Sequence, residues 1–286
     1  MIDYRDLNDV QQNNFTNEWI GALAYTLLSG QEVSPRGKKT KEVQPYTSFI
    51  NMRRPVLLCK ERSLNYKFMA AEAYWILSGD DKVETIRPYN SRIADFSDDG
   101  KTFFGAYGPK IASQIDYVVA KLKSDPDTRQ AGLTLWRENP PQTKDVPCTI
   151  AIFFNIRDGK LNTHVFMRSS DLWLGLPYDA FNFSMLSHLI CCELNGPLVS
   201  SNEVYQNSAL IEPGTLYLTA ASSHLYEINW EDAEKCLKEH ISTEPSPETP
   251  RAFFLDKDYL MQNLKDLRES RPGSALRWWE VTNENN

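Results

Sequence analysis

The sequence predicts an α+β fold. Segments of helical period and segments of alternating period are both present, and they follow one another without regular βαβ alternation. The composition is that of a globular chain, with 41% hydrophobic and 24% charged residues among 286, which excludes a disordered, collagen-like or fibrous protein. At about 150 residues per domain the length admits two domains. No stretch reads as a linker with an independent core on each side, so a single domain over residues 1–286 is expected.

The elements follow in chain order. Residues 29–46, SGQEVSPRGKKTKEVQPY, are dense in charge, Gly and Pro and read as a long loop. From Ser63, a good N-cap residue, Leu64, Phe68, Ala71 and Trp75 form one apolar stripe that ends at Gly79, which predicts a helix. Glu72 lies on that stripe between Phe68 and Trp75, so its carboxylate is expected to point toward the core. Ile150, Ile152, Phe154 and Ile156 alternate with less apolar neighbours, and beyond Asp158-Gly159 the alternation continues through Leu161, Val165 and Met167, the pattern of a β-hairpin. LPYDAFNFSMLSHLICCEL, from Leu176, reads as a largely buried helix, and GTLYLTA, from Gly214, as a strand. NWEDAEKCLKEH reads as a surface helix capped by Asn229, with Glu231 and Asp232 in its first turn. STEPSPETPR, residues 242–251, separates that helix from a C-terminal tail.

Charge and cysteine usage narrow the function. The net charge is −7, from 31 Lys+Arg and 38 Asp+Glu. Binding to nucleic acid is therefore not expected, whereas a nucleotide monophosphate needs only a few local arginines. Cys59, Cys148, Cys191, Cys192 and Cys236 are odd in number and irregular in spacing, without a CxxC, so neither a disulfide framework nor a zinc site is expected. His164, His188, His224 and His240 lack metal-ligand spacing, and no metal is expected. The polar, acidic N-terminus is unlike a signal peptide, and no apolar run approaches the ~20 residues of a membrane span. A soluble cytoplasmic protein without a membrane partner is expected, in which a special cysteine is chemical rather than structural.

Individual residues carry two readings each. Cys148 follows Pro147 at the edge of a strand, where nearby arginines would lower its pKa and make it a nucleophile; the alternative is a small buried residue. Burial would raise the pKa of Glu72 and suit it to acid–base work, or it belongs to a buried ion pair. Arg168 beside Ser169 forms a phosphate clamp or a surface ion pair. Arg36, with Gly37, Lys38 and Lys39, caps a phosphate or lies in a solvated basic loop. His224 and Tyr226, two apart at a strand end, point to one side and suit a sugar hydroxyl or form an ordinary half-buried pair.

Taken in order, Pro147-Cys148, Arg168-Ser169-x-Asp171, Leu174-Gly175-Leu176-Pro177-Tyr178 and His224-x-Tyr226 resemble the thymidylate synthase superfamily. The resemblance reaches back through Arg129 in DPDTR and Gly105-Ala106-Tyr107-Gly108 to Glu72 in EAYWILSGD, and so covers most of residues 20–240. It implies a large mixed β-sheet flanked by helices, the sheets of two subunits packed back to back in a homodimer. It also implies chemistry at C5 of a pyrimidine nucleotide, with 5,10-methylenetetrahydrofolate as co-substrate. By the match, Cys148 adds to C6 of the base; Arg36, Arg168 and Ser169 hold the 5′-phosphate together with Arg129 from the partner subunit. His224 and Tyr226 hold the sugar 3′-hydroxyl, Asp171 bonds the folate ring, Glu72 organises water and proton transfers, and Tyr107 supports the base site.

Departures from the synthase pattern refine the expectation. Asp179 stands where synthases usually have Asn, whose amide matches uracil O4 and N3–H. A carboxyl group accepts from the N4 amino group of cytosine and, when protonated, donates to N3, whereas an ionised one would be repelled by uracil O4. Thr149 replaces the common His, Met167 the common Gln, and Gln130 a second arginine. The chain ends in RWWEVTNENN, without the short apolar terminus with which synthases exclude water. The pattern is similar to the deoxycytidylate hydroxymethylase branch, which implies conversion of dCMP to 5-hydroxymethyl-dCMP. A CMP hydroxymethylase, a C5-methylating enzyme on dCMP or dUMP, and a non-catalytic nucleotide- or RNA-binding relative stay open at this point.

Overall fold

The computed structural model describes residues 15–196, 210–239, 246 and 248–269. The N-terminal segment before Phe15, His240 and the terminal RWWEVTNENN lie outside the described residues, as does most of 242–247.

The β-hairpin forms as its pattern dictates. β5 (Thr149–Arg157) and β6 (Lys160–Met167) are joined by Asp158 and Gly159 at φ 51° and 71°, the left-handed pair that matches strand twist in a two-residue turn. Ile152, Phe154, Leu161, Val165 and Met167 are buried, as the alternation predicts. Ile150 is not. A β-bulge between Thr149 and Ala151 shifts the parity at the start of β5, turning Ile150 outward and Thr149 inward. The irregularity falls directly after Cys148.

Around the hairpin, β3 (Tyr46–Asn51), β8 (Glu212–Ala220) and β4 (Gly132–Thr134) complete a mixed five-stranded sheet in the order β3-β8-β6-β5-β4, parallel only between β6 and β8. A smaller sheet orders β1 (Gln31–Val33), β2 (Thr40–Val43), β9 (Ser223–Tyr226) and β7 (Ser170–Asp171). The two are stitched together where β6 leads into β7 and β8 into β9: Ala221 N–H donates to Met167 O at 2.9 Å and Ser170 N–H to Ser222 O at 2.9 Å. Residues 29–46 thus form two paired strands around a tight turn at Pro35–Gly37 rather than a long loop. β2 takes its strand character from pairing with β9, and β1 from pairing with β2 at an exposed edge, where charged residues serve well and no apolar alternation announces the strand.

The helices cover the sheet. α1 (Phe15–Ser29) packs on β3. α2 (Tyr66–Leu77) buries Phe68, Ala71 and Trp75 as expected, but its cap is Asn65, whose Oδ1 accepts from Phe68 N–H at 3.0 Å. Ser63 sits two residues earlier in a left-handed turn, at φ 49°. α3 (Val83–Ile86), α4 (Tyr107–Ala112) and α5 (Ile115–Ser124) follow.

α6 (Leu176–Asn195) is continuously buried from Ala180 to Cys192 and lies between α2 and the strands β6 and β8. Its internal serines and histidine are hydrogen-bonded within the core. Ser184 and Ser187 hydroxyls donate back to Ala180 O and Phe183 O, at 2.7 and 2.8 Å. His188 lies between Ser184 O and Thr249 Oγ1, and burial pushes its pKa down to about 3. α7 (Trp230–Glu239) is entered through a 3-10 turn at Glu227–Asn229 and covers Ala233 and Cys236. α8 (Lys257–Arg268), capped by Asp256, packs against α2, so apolar residues as far along as Leu267 still contribute to the core.

Candidate active site

Cys148 stands at the entrance to β5, and Arg168 stands opposite, just past β6. Arg168 N–H donates to Cys148 O at 2.8 Å, extending the hairpin ladder. The guanidinium is fixed against that segment by three more bonds: Nε to Pro147 O at 2.9 Å, Nη2 to Val146 O at 2.9 Å and Nη1 to Ser169 Oγ at 3.0 Å. Ser169 Oγ in turn lies 3.9 Å from Cys148 Sγ. Arg168 therefore orients the segment that carries the thiol and still faces solvent. The expected lowering of the thiol pKa is not found. Burial pushes it up, with Asp179 and Asp145 adding to the rise, and Arg168 and Ser169 offset this only in part.

Behind the thiol, carboxyl groups converge from three elements. Glu72 on α2 accepts from Asn182 Nδ2 on α6 at 2.7 Å, and desolvation pushes its pKa up to about 7. Asp179, in the first turn of α6, has its pKa raised well above the usual range, first by burial, then by the charges of Glu72 and Asp171. A helix N-terminus favours an anion, yet burial and two neighbouring carboxylates outweigh it and favour the protonated form of Asp179. Gly175 lies against this group: a Cβ there would come within 3.4 Å of Asp179 Oδ2 and 3.2 Å of Asp171 O.

Tyr107 opens α4 and completes this wall. Its hydroxyl accepts from Thr149 N–H at 3.2 Å and pairs with Thr149 Oγ1 at 2.9 Å, and its ring stacks on Phe183. Burial raises its pKa, and so do the charges of Asp179 and Cys148, which places the hydroxyl close to both. The bulge that turns Thr149 inward is what makes this contact.

The smaller sheet carries the remaining groups. Ser169 leads into β7, where Asp171 is in register with His224 of β9. His224 and Tyr226 lie on one side of β9, ring centroids 5.1 Å apart, as their spacing predicts. Arg36 Nη2 reaches Tyr226 Oη at 3.5 Å, and Lys38 Nζ lies 5.7 Å from the same ring centroid. Asp171 Oδ1 accepts from Trp173 N–H and Leu174 N–H at 2.8 and 3.0 Å, which shapes the loop into α6. That loop is anchored by Trp19 Nε1 donating to Leu172 O at 2.6 Å and by Arg62, which donates twice to Trp173 O and lies over the Trp173 ring. Arg129 stands apart, exposed in the turn between α5 and β4, beside Gln130, whose Oε1 accepts from Lys121.

Sequence reasoning missed Asn182, Arg62 and Trp19. Asn182 had a legible signal, an amide three residues beyond Asp179 in an otherwise apolar run. Arg62 and Trp19 act on backbone carbonyls more than 100 residues away, which no local pattern encodes. Among the described residues no group of His, Cys, Asp and Glu could hold a metal ion, and no helix is long and apolar enough to cross a membrane.

Comparison with known proteins gives the family. The thymidylate synthase family model matches residues 18–265. The chain is 30% identical over 260 residues to a deoxyuridylate hydroxymethyltransferase of Bacillus phage SP01, covering 81% of this chain and 63% of that protein. It is 31% identical over 191 residues to a deoxyuridylate hydroxymethyltransferase of Pseudomonas phage M6, covering 63% of this chain and 50% of that protein. The matched region thus spans between half and two thirds of these relatives. The chain belongs to the thymidylate synthase family.

Proposed function

We propose, with that membership as premise, that the chain is a single-domain pyrimidine nucleotide hydroxymethylase. It would transfer a one-carbon unit from 5,10-methylenetetrahydrofolate to C5 of dCMP and hydrate it to 5-hydroxymethyl-dCMP, releasing tetrahydrofolate. Cys148 Sγ adds to C6, which gives C5 the electron density to take up the one-carbon group. Loss of the C5 proton and departure of tetrahydrofolate leave an exocyclic methylene that water quenches. Arg168, Ser169 and Arg36 bind the 5′-phosphate, His224 and Tyr226 the sugar hydroxyl, and Asp171 the folate ring. Tyr107 shapes the base site and Glu72 handles the proton transfers. The thiolate that attacks C6 is opposed by burial and by Asp179 and Asp145, and favoured by Arg168 and Ser169.

The observation that supports cytosine is the carboxyl group at Asp179, whose protonated form is favoured by burial and by the charges of Glu72 and Asp171. Its carbonyl oxygen can accept from N4 and its hydroxyl can donate to N3, so that charge building on the ring during attack at C6 is met by an acid. The same neutral acid turned over could donate to uracil O4 and accept from N3–H. That symmetry, with relatives named for deoxyuridylate, favours dUMP as the second reading. The homodimer is proposed on the outer face of the five-stranded sheet, where Phe153 and Phe166 are 43% and 44% exposed and Ile150 39%.

The test is incubation with dCMP, CMP or dUMP plus methylenetetrahydrofolate, reading product mass and folate oxidation state. A formaldehyde-sized gain with tetrahydrofolate supports hydroxymethylation, and a methyl gain with dihydrofolate overturns it. Asp179→Asn should move the ratio of kcat/KM for dUMP over dCMP upward by at least about 100-fold. An unmoved ratio removes the argument for cytosine.

A further inference from the structure

The amide of Asn182 is not accounted for by the roles above. The residue is 4% exposed, on the face of α6 that carries Asp179 one turn earlier. Its Nδ2 is engaged by Glu72 Oε2 at 2.7 Å, while its Oδ1 is buried without a hydrogen-bond partner among the described residues. A buried amide oxygen left unpaired is costly, and such atoms in native proteins meet water or ligand. Because the amide is planar and one end is fixed on Glu72, Oδ1 is held beside the same carboxylate.

We propose that Asn182 is the positioning residue for hydration: its Nδ2 fixes the Glu72 carboxylate and its Oδ1 accepts a hydrogen bond from the water that Glu72 deprotonates. This rests on the hydroxymethylase reading. In that step the water gives one proton to Glu72, and its oxygen bonds the exocyclic methylene carbon. The electron pair of the C5–methylene double bond re-forms C5=C6, and the C6–S pair returns to Cys148 as thiolate. Toward the Glu72 carboxylate the NH2 group donates, which leaves the carbonyl oxygen to accept from the water. The other groups acting on this cluster are Asp179 and Tyr178 from the same helix, with Asp171 acting through Asp179.

Asn182→Leu, close to isosteric and unable to bond water, separates this role from a structural one. Measured on the full chain are tritium release from C5-labelled nucleotide, hydroxymethyl product, and thioether formed when 2-mercaptoethanol is added to trap the methylene. The expected result is a fall in hydroxymethyl product of about tenfold, a nucleotide KM within about threefold of wild type, and diversion of flux to the thioether. Asn182→Ala, which removes both ends of the amide, should divert flux in the same way and serves if the Leu variant does not fold. Equal falls in tritium release and product, without thioether, overturn the proposal, as does a KM raised for cytosine nucleotides alone, which would make the amide a reader of the base. A methyl product from the unaltered chain overturns the hydroxymethylase reading itself and is seen before any variant is made.

Discussion

Glu72 shows how a single side chain acquires chemistry from its surroundings. On α2 it is the one carboxylate of an apolar stripe, and burial pushes its pKa up to about 7 while Asn182 draws it back. A base must be ionised to take a proton, so below that value the active form decreases about tenfold per pH unit. We therefore expect kcat to fall on the acid side with a midpoint near neutrality, well above that of an ordinary carboxylate. Glu72→Gln should abolish this limb and lower kcat by ~10²–10⁴. A pH–rate profile of both proteins checks it, and an acid limb that survives in the variant would assign the titration to another group. The oddity of Glu72 is legible in the sequence, since a carboxylate at i+4 from Phe68 and i−3 from Trp75 must be paired or working. The state of Cys148 is not. Proximity to arginine suggested a lowered pKa, and only the folded chain reveals that desolvation outweighs Arg168.

At the scale of elements, another acid, half-buried, gives a prediction about folding rather than catalysis. Glu18 of α1 faces β3, where Phe49 N–H and the hydroxyls of Ser48 and Tyr46 bond it, yet burial still raises its pKa from 4.5 to about 7. With the folded value above the unfolded one, the native state binds more protons across that interval. Stability from this group is present below pH 4.5 and is lost as pH rises toward 7. Glu18→Gln keeps an acceptor for Phe49 N–H without the charge. It should raise Tm relative to wild type at pH 8, by the equivalent of at most about 3 kcal/mol, and the difference should vanish near pH 4.5. Thermal melts at both pH values decide it, and a variant equally or less stable at pH 8 would refute it. The β5–β6 hairpin and α6 could be read because alternation and unbroken apolarity are local. β1 and β2 could not, because β2 is held by β9, some 180 residues away in the chain, and β1 only by β2, and neither could the bulge at Thr149, which exists only through pairing with β6.

At the scale of the molecule, the motif order and the α+β class are both legible, and what the order leaves open is how a site with an isolated arginine becomes whole. Arg129 is exposed between α5 and β4, away from the Arg168–Ser169 pair, while β4 borders the sheet whose outer face carries Phe153, Phe166 and Ile150. If two copies pair through that face, the symmetry of the contact can carry Arg129 of each into the phosphate site of the other. Complementation tests this directly. Arg129→Ala lacks the donated arginine and Cys148→Ser lacks the nucleophile, so each is expected to be nearly inactive alone. Denatured together in equal amounts and refolded, half of the dimers are hybrids, and each hybrid has one site with its own Cys148 and the neighbour's Arg129. Activity should therefore return to about one quarter of wild type. Recovery absent from a sample in which hybrid dimers are demonstrated by mass would mean that Arg129 serves its own subunit or none, and the two-fold arrangement would have to be redrawn with a different arginine at the phosphate. Recovery in Arg129→Ala mixed with a Cys148→Ser chain that also carries Phe153→Asp should be lost, since a charge on the sheet face opposes pairing while leaving each site's own residues untouched.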